Sequence, residues 1–270
     1  MQKLIITVAP TGSVPKKKDN PNVPVTPQEV VQCALRCEQE GASILHIHAR
    51  DAQENPSDDP AFFQEVVESL RGKSRLILQV STGGRAGGDL ESRIKRLQVR
   101  PEMASLTTGS VNFPMSAYVN PPDLIKGLAE EMVRLGIKPE MEIFDFSMIP
   151  NAIALAQEGL ARAPLHFNFV MGLRGAIPAS IEHLVHMVQM LPANSTWTVS
   201  GIGAAQLRMG LHAILMGGHV RVGLEDNLLM RKGELASNEA LVRKVVAWSR
   251  ELGRDVASPD EAREILRLSA

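Results

Sequence analysis

The chain has 270 residues, of which 44% are hydrophobic, and its formal net charge is −1. This length allows two ordinary domains or one large architecture such as an α/β barrel. The near-zero charge excludes a strong electrostatic attraction to nucleic acid or acidic lipid, so neither is expected as a partner. No apolar stretch reaches the roughly 18–20 residues of a membrane span, and the N-terminal apolar run is too brief for a signal peptide. We therefore expect a soluble, cytoplasmic protein.

Eight apolar, β-rich runs recur along the chain, and helical patterns lie between them. The predicted strands cover 4–10, 43–50, 75–82, 103–109, 138–145, 165–172, 196–202 and 219–226. Two cysteines, Cys33 and Cys37, share one face of the first predicted helix and are expected to be reduced core residues. Helix starts are predicted at the capping box Thr26–Glu29, at Asp59–Pro60, Asp123, Ser180 and Asn238, and at Ser258–Glu261 for a short extra helix.

The alternation of strands and helices predicts the fold. Eight repeats of this alternation are typical of parallel strands joined by crossover helices. Eight units in 270 residues favour a closed (β/α)8 TIM barrel, with a short extra C-terminal helix, over an open doubly wound sheet. No linker or change of composition divides the chain, so residues 1–270 are predicted to form one barrel domain.

The predicted loops differ in length between the two ends of this barrel. Loops from helix to strand are short, whereas loops from strand to helix are long and rich in glycine, proline and polar residues, as in 10–25, 81–88, 108–120 and 225–238. Long loops on one face are typical of a barrel enzyme whose site lies at the C-terminal ends of the strands. The asymmetry favours an enzyme over a non-catalytic barrel that only binds a small molecule.

Two histidines in the stretch ILHIHARD, His46 and His48, are candidate metal ligands. Side chains alternate along a strand, so both imidazoles point to the same side near the end of the second strand. Two hydrogen-bonded core histidines are the alternative interpretation. Glu225, at the end of the eighth strand, could supply a carboxylate ligand. Such a set suits Zn²⁺, although Mn²⁺ and Fe²⁺ also fit.

A buried arginine on the eighth strand needs a partner. Arg221 is in phase with Glu225, whereas strict alternation places Asp226 on the opposite side. An unpaired guanidinium inside a barrel would be prohibitively costly, so Glu142 and Asp226 are the candidate partners. Arg221 could thereby orient Asp226, or keep it ionised as a general base.

Polar residues also end the third and fourth strands and are candidates for substrate binding. A Ser-Thr-Gly-Gly turn can present backbone N–H groups to an anion, although such turns are mostly only turns. These candidates are Ser81, Thr82, Gly83, Ser105 and Thr107, and the same layer could include Asn168 and Ser200. The other histidines, His183, His186, His212 and His219, are interpreted as structural, while His166 is left undecided.

Six segments together resemble the β-keto acid cleavage enzymes, which are related to the 3-keto-5-aminohexanoate cleavage enzyme of lysine fermentation. The segments are LHIHARD, QVSTGG, PEMASLTTGSVNF, PEMEIFD, HFNFVMG and GGHVRVGLEDN, and the resemblance extends from TVAPTG to SPDEAREILRL. It implies a zinc-dependent (β/α)8 acyltransferase with one Zn²⁺ per subunit and acetyl-CoA as co-substrate. Such an enzyme converts a β-keto acid and acetyl-CoA to acetoacetate and a new acyl-CoA. It also implies a homo-oligomer, with a tetramer favoured.

The resemblance also implies roles for individual residues. Ser81 matches a substrate-positioning serine, and Ser105 stands where a threonine is common. The metal ligands would be His46, His48 and Glu225, and the acid/base residue would be Asp226, supported by Arg221 and Glu142.

One position departs from the enzyme that acts on the aminated substrate. There, a glutamate in the sequence TGAE meets the substrate's ammonium group, whereas this chain has Val14 in TGSV. Because valine cannot pair with a cation, we expect neutral or anionic β-keto acids to be better substrates. The adjacent Lys16–Lys18 could bind CoA phosphates, but a solvated face is slightly favoured.

Two other enzyme classes also place an H-x-H pair in a metal-dependent barrel. Carbon–carbon lyases of the hydroxymethylglutaryl-CoA lyase type carry it on a late strand, not on the second. Hydrolases of the amidohydrolase type carry it on the first strand with further histidines on the fifth and sixth, where this chain offers only His166.

Overall fold

The computed structural model describes residues 2–84, 88–114 and 116–268, which contain a closed barrel of eight parallel strands. Each strand pairs with the next, and the eighth pairs with the first in the register Thr7 to Arg221. The predicted (β/α)8 barrel is therefore confirmed. The strands, numbered β1 to β8, are Ile6–Val8, Ile44–Ile47, Ile77–Val80, Met103–Thr107, Lys138–Ile143, His166–Met171, Thr196–Gly201 and His219–Val222.

Nine α-helices surround or cap the barrel within the described residues. Numbered α1 to α9, they are Pro27–Glu40, Pro60–Leu70, Leu90–Lys95, Pro122–Leu135, Met148–Gln157, Ile181–Gln189, Ala205–Met216, Asn238–Glu251 and Pro259–Leu266. The capping boxes at Thr26 and Ser258 are both present. Helices α3, α5 and α7 agree with the predicted alternation, but no start was predicted for them. Neither α5 nor α7 has a side chain that caps its first turn, so no capping residue marks these starts.

Two helices begin earlier than predicted, since Asp123 and Asn238 are each expected to precede the first helical residue. Asp123 lies in the first turn of α4, which begins at Pro122. Asn238 is the first residue of α8, and the hydroxyl of Ser237 caps the helix instead. Asn238 has a different role: its Oδ1 accepts the N–H of Leu224 at 2.9 Å and its Nδ2 donates to the carbonyl of Pro10 at 3.2 Å. It therefore fixes the chain next to Glu225.

Helix α9 closes the N-terminal end of the barrel. Ile5, Ile44, Ile77 and Met103 form an apolar floor, and Leu266 of α9 packs against it. Burying each such side chain stabilises the fold by about 1.5–3 kcal/mol. The floor leaves the opposite, C-terminal end of the strands as the open end.

The long loops lie at that open end. Three strand-to-helix loops contain short antiparallel hairpins: 49–57 after β2, 111–118 after β4 and 229–235 after β8. Residues 85–87 of the loop after β3 and Met115 lie outside the described residues. Among the helices of the described residues, none is long and apolar enough to cross a membrane. Cys33 and Cys37 are buried free thiols whose Sγ atoms lie 3.9 Å apart.

Candidate metal and substrate site

A cavity of about 520 Å³ opens at the C-terminal end of the strands. This volume is ordinary for a site that binds a small molecule. Side chains from opposite sides of the barrel meet in the wall of this cavity. Those that could bind a ligand or take part in a reaction are His48, Ser81, Glu142, Arg221, Glu225 and Asp226.

His46, His48 and Glu225 converge although they come from distant parts of the chain. His46 lies on β2, His48 follows the strand, and Glu225 lies in the turn after β8. His48 Nε2 is 3.2 Å from Glu225 Oε1, and His46 Nε2 is 3.9 Å from Glu225 Oε2. One ligand atom from each residue lies within 4.8 Å of the others. The structure thus brings together the three predicted ligands.

The geometry of this cluster fits a divalent metal ion. Ligands about 2.1 Å from a tetrahedral ion are about 3.4 Å apart, which falls between the two measured separations. Burial, followed by the charge of Arg221, lowers the pKa of His46 to about 3, so its ring is neutral, as a ligand must be. Glu225 Oε2 is buried and has no hydrogen-bond partner among the described residues. An ion would satisfy this oxygen.

Gln79 on β3 orients the first histidine. His46 Nδ1 donates to Gln79 Oε1 at 2.6 Å, which leaves Nε2 directed towards Glu225. A partner of this kind fixes the tautomer and the ring orientation of a metal ligand. Sequence reasoning did not find this role, because it depends on the register of β2 and β3, in which His46 lies opposite Gln79.

Arg221 is surrounded by three carboxyl groups. Its Nε and Nη2 donate to the two oxygens of Asp226 at 2.9 and 3.0 Å. Nη2 also lies 2.6 Å from Glu225 Oε1, and Nη1 lies 3.9 Å from Glu142 Oε1. The two predicted partners of Arg221 are therefore both in place, and Glu225 is a third.

The predicted orientation of Asp226 is wrong. Strict alternation placed it on the side opposite Arg221, but β8 ends at Val222. The chain then turns at Gly223, which has φ 151°, and the N–H of Asp226 donates to the Gly223 carbonyl at 3.2 Å. A Cβ at Gly223 would lie 2.0 Å from the Ala9 carbonyl oxygen, so the turn requires glycine. Alternation does not continue through this turn, and Asp226 faces the site.

The ionisable groups around Arg221 differ in their proton affinity. Burial raises the pKa of Asp226 to about 6, with Arg221 opposing this shift and Glu225 adding to it. Burial also raises the pKa of Glu142 to about 7, again against the effect of Arg221. Burial acts in the same direction on Glu225, but Arg221 and the two histidines outweigh it and hold the pKa below its usual value. Glu225 therefore stays ionised, while its two neighbours titrate near neutral pH.

The predicted substrate-binding residues fall into two groups. Ser81, Gly83 and Val14 line the cavity. Thr82 and Ser105 instead bond to each other: the Thr82 N–H donates to Ser105 Oγ at 3.2 Å, and Thr82 Oγ1 donates to the Ser105 carbonyl at 2.6 Å. Both are absent from the described lining of the cavity.

Thr107 contacts Glu142 rather than open cavity. Its Oγ1 donates to Glu142 Oε2 at 2.7 Å and lies 3.3 Å from the hydroxyl of Tyr118. Tyr118 stacks on Phe113 with ring centroids 5.1 Å apart, and both rings contact Phe144 at their edges. These three aromatic side chains line the cavity but were not predicted as site residues, since two of them reach it only through the fold of the hairpin 111–118.

The remaining histidines lie outside this cluster. His166, left undecided from the sequence, is buried, with Nδ1 2.8 Å from Thr196 Oγ1 and Nε2 3.2 Å from Glu140. His219 Nδ1 accepts the backbone N–H of Ile5 at 3.0 Å, as expected of a structural residue.

Two of the three lysines in Lys16–Lys18 contact other parts of the protein. Lys16 Nζ donates to Asn55 Oδ1 at 3.1 Å, and Lys17 pairs with Glu29. Lys18 is exposed. These contacts favour a structural and solvated role for the run over a phosphate site.

The fold and the site together define a (β/α)8 barrel with two histidines and a carboxylate arranged for a metal, beside a carboxyl group held by an arginine. The sequence profile of the beta-keto acid cleavage enzyme family matches residues 3–268. The chain belongs to this family, and it is an enzyme. Membership removes the lyase and hydrolase alternatives.

Individual relatives support the assignment. The chain is 48% identical over 272 residues to a 3-oxoadipate:acetyl-CoA acetyltransferase of Cupriavidus necator, covering 99% of this chain and 95% of that protein. It is 44% identical to a 3-keto-5-aminohexanoate cleavage enzyme of Fusobacterium nucleatum subsp. nucleatum, covering 99% of each. The apo structure of ObcA matches with a TM-score of 0.81 at 20% identity, over 93% of this chain and 66% of that chain, and supports the fold alone.

Proposed function

We propose that the protein is a zinc-dependent acyltransferase that converts a β-keto acid and acetyl-CoA to acetoacetate and a new acyl-CoA. The observation that carries this proposal is the contact of Arg221 with both Glu225, a candidate metal ligand, and Asp226, a candidate proton acceptor. The similarity to a 3-oxoadipate:acetyl-CoA acetyltransferase supports acetyl-CoA as the co-substrate.

His46, His48 and Glu225 would hold one zinc ion per subunit. When bound, the ion supplies Lewis-acid chemistry for the keto oxygen and the carboxylate of a β-keto acid. The chain itself contributes the orientation of these ligands: Gln79 fixes the ring of His46, and Arg221 fixes one oxygen of Glu225.

Asp226 would remove a proton from the carbon between the keto and carboxylate groups. Its pKa near 6 leaves it mostly ionised at neutral pH yet basic enough to accept a proton. The carbanion attacks the thioester carbonyl of acetyl-CoA, a carbon–carbon bond forms, and the CoA thiolate leaves. This thiolate then attacks the original keto carbon, and the adjacent carbon–carbon bond breaks. Asp226 returns its proton to the released carbanion, which gives acetoacetate and the new acyl-CoA.

Two further residues would help to bind and orient the substrate. Ser81 Oγ already accepts the N–H of Gly83 at 3.2 Å, so its own O–H can donate to a substrate oxygen in the cavity. Glu142 would act with Asp226 in holding Arg221 in place.

Replacing Asp226 with asparagine tests the proton transfer. The amide keeps the shape of the side chain but cannot accept the proton, so acetoacetate formation should fall by about 10²–10⁴-fold. Asp123→Asn, at an exposed position in the first turn of α4, is the matched control and should leave the activity unchanged. Activity of the Asp226 variant within about tenfold of wild type would contradict the proposed role.

The substrate is proposed to lack an amino group, because Val14 lines the cavity where an ammonium group would need a carboxylate. A panel of β-keto acids that includes 3-oxohexanoate, 3-oxoadipate and 3-keto-5-aminohexanoate tests this idea. The aminated acid should be the poorest of the three, and Val14→Glu should improve its relative kcat/KM. Faster cleavage of the aminated acid than of 3-oxohexanoate by the wild type would refute the substrate class.

We further propose that residues 1–270 act as one domain in a cytoplasmic homo-oligomer, with a tetramer favoured by the family resemblance. Light scattering coupled to size-exclusion chromatography measures the number of subunits directly. A monomer at micromolar concentration would contradict the proposed assembly.

A further inference from the structure

We propose that Arg50 is a positioning residue for substrate selectivity, because it fastens the selectivity loop, residues 12–18, to the segment that follows the metal-binding histidines. This inference rests on the proposed function, since it assumes that the cavity binds a β-keto acid. Arg50 contacts no candidate ligand group directly and would act through the loop that carries Val14.

Arg50 joins two loops through backbone carbonyl groups. Its side chain donates from Nη2 to the carbonyl of Pro15 at 2.7 Å and from Nη1 to the carbonyl of Glu54 at 2.6 Å. The residue is only 5% exposed; its bond to the Pro15 carbonyl is buried, and its bond to the Glu54 carbonyl is partly buried. Arg50 follows His48 by two residues, in the short strand Ala49–Arg50 that pairs with Pro56–Ser57. The metal-binding strand and the selectivity loop are therefore linked through one guanidinium.

Other contacts between the two segments are weaker. Lys16 Nζ donates to the Gln53 carbonyl at 3.3 Å and to Asn55 Oδ1 at 3.1 Å, and the Lys17 N–H donates to Glu54 Oε2 at 2.9 Å. The Lys16 contacts are exposed and the Lys17 contact is only partly buried, whereas the bond from Arg50 to the Pro15 carbonyl is buried, where water does not compete for it. Arg50 is consequently the principal attachment between the loop and the hairpin 49–57.

The selectivity loop shapes the cavity at two points. Gly12 packs so closely on Glu225 that an added Cβ would lie 2.3 Å from Glu225 Cγ. Ser13, Val14 and Pro15 form part of the cavity wall. Val14 is 63% exposed, so packing of its own side chain does little to fix it. The anchored carbonyl of the next residue, Pro15, must therefore set where the side chain at position 14 stands.

Arg50 is a charged hydrogen-bond donor, since an arginine guanidinium stays protonated in proteins. A charged donor contributes about ten- to a hundredfold to an equilibrium through one shielded hydrogen bond. Loss of both bonds should therefore free the selectivity loop.

Hydrogen exchange tests the attachment without any substrate. We would compare the wild type with Arg50→Met, which keeps an apolar stem, and Arg50→Lys, which keeps a charge but can reach fewer acceptors. Exchange at 12–18 and 50–57 should accelerate by tenfold or more in Arg50→Met and by less in Arg50→Lys, while β1 to β8 stay protected. Arg75→Met is the matched control, since Arg75 is exposed and pairs with Asp260 of α9. Unchanged exchange in Arg50→Met would overturn the attachment.

A double-mutant cycle with Val14→Glu tests the selectivity role. In protein that retains Arg50, Val14→Glu should raise the ratio of kcat/KM for 3-keto-5-aminohexanoate to kcat/KM for 3-oxohexanoate. In the Arg50→Met background, this shift should shrink by about tenfold, KM for both acids should rise by a similar factor, and kcat should change by less than about threefold. Arg50→Lys should restore part of the shift. This conservative variant keeps the test valid if Arg50→Met folds poorly.

Two results would overturn the selectivity role. The first is a change in the kcat/KM ratio on Val14→Glu that is equally large in the wild type and in the Arg50→Met variant. The second is a wild type that turns over none of these acids, which refutes the proposed function and the selectivity role together, while the exchange experiment still decides whether Arg50 attaches the loop.

Discussion

Gly12→Ala perturbs the candidate metal site through a single methyl group. The added Cβ would lie 2.3 Å from Glu225 Cγ and 2.9 Å from Glu225 Cδ. Gly12 is not among the glycines with positive φ, so its backbone conformation is one that alanine can adopt. The effect should therefore come from the collision with Glu225 and not from backbone strain.

The size of the collision predicts the size of the effect. Carbon atoms in contact are about 3.5–4.0 Å apart, so Glu225 must retreat by more than about 1 Å. Metal–ligand distances tolerate about 0.2 Å. The displaced carboxylate would leave the coordination sphere and would also release Nη2 of Arg221, which now lies 2.6 Å from Glu225 Oε1. Metal affinity and acetoacetate formation should each fall by about a hundredfold or more, beyond the loss typical of a residue that only orients a ligand.

The assay combines zinc content by mass spectrometry, competition with a chelator of known affinity, and acetoacetate formation. Gly88→Ala is the matched control, because among the described residues its Cβ would meet nothing within 4 Å. The melting temperature of each variant shows whether the fold survives. Gly12→Ala protein that binds zinc as tightly as the wild type and retains full activity would refute this account of the site.

Two further predictions concern the metal and the buried carboxyl groups. Removing the metal with a chelator should abolish acetoacetate formation, and added Zn²⁺ should restore it; activity that survives chelation would exclude a metal role. Glu142 has a folded-state pKa of about 7, above its usual value, so its favourable contribution to stability is complete below about pH 4.5 and is lost as the pH rises to 7. Relative to Glu142→Gln, the wild type should therefore lose up to about 3 kcal/mol of stability between pH 5 and pH 8. Parallel stability curves from thermal unfolding would contradict the raised pKa.

The fold could be predicted because its signals are local. Alternation of apolar strands with capped helices needs no knowledge of distant contacts, and each of the eight observed strands lies inside its predicted range. His46 and His48 could be paired from the sequence because the backbone stays extended between them. The same rule failed at Asp226, because the strand ends four residues earlier, at Val222, and the chain turns at Gly223.

The missed residues depend on long-range geometry. Gln79 faces His46 only in the observed register of β2 and β3. Tyr118 and Phe113 reach the cavity because the loop after β4 folds back as a hairpin. Thr82, just after β3, and Ser105, on the neighbouring strand β4, hydrogen-bond to each other, which no spacing in the sequence could indicate. The periodicity of a sequence describes a single helix or strand, whereas each of these contacts joins two separate segments of the chain.

The charges around Arg221 support the proposed binding of a divalent metal ion. One guanidinium contacts Asp226 and Glu225 and lies near Glu142, and a single positive charge cannot balance three buried carboxylates. Burial raises the pKa values of Asp226 and Glu142 against the effect of Arg221, and the negative charge of Glu225 adds to both shifts. Two additional positive charges at Glu225 would bring the total to three against three. The cluster that holds Asp226, the candidate proton acceptor, is thus the same cluster whose electrostatics favour the proposed divalent metal ion.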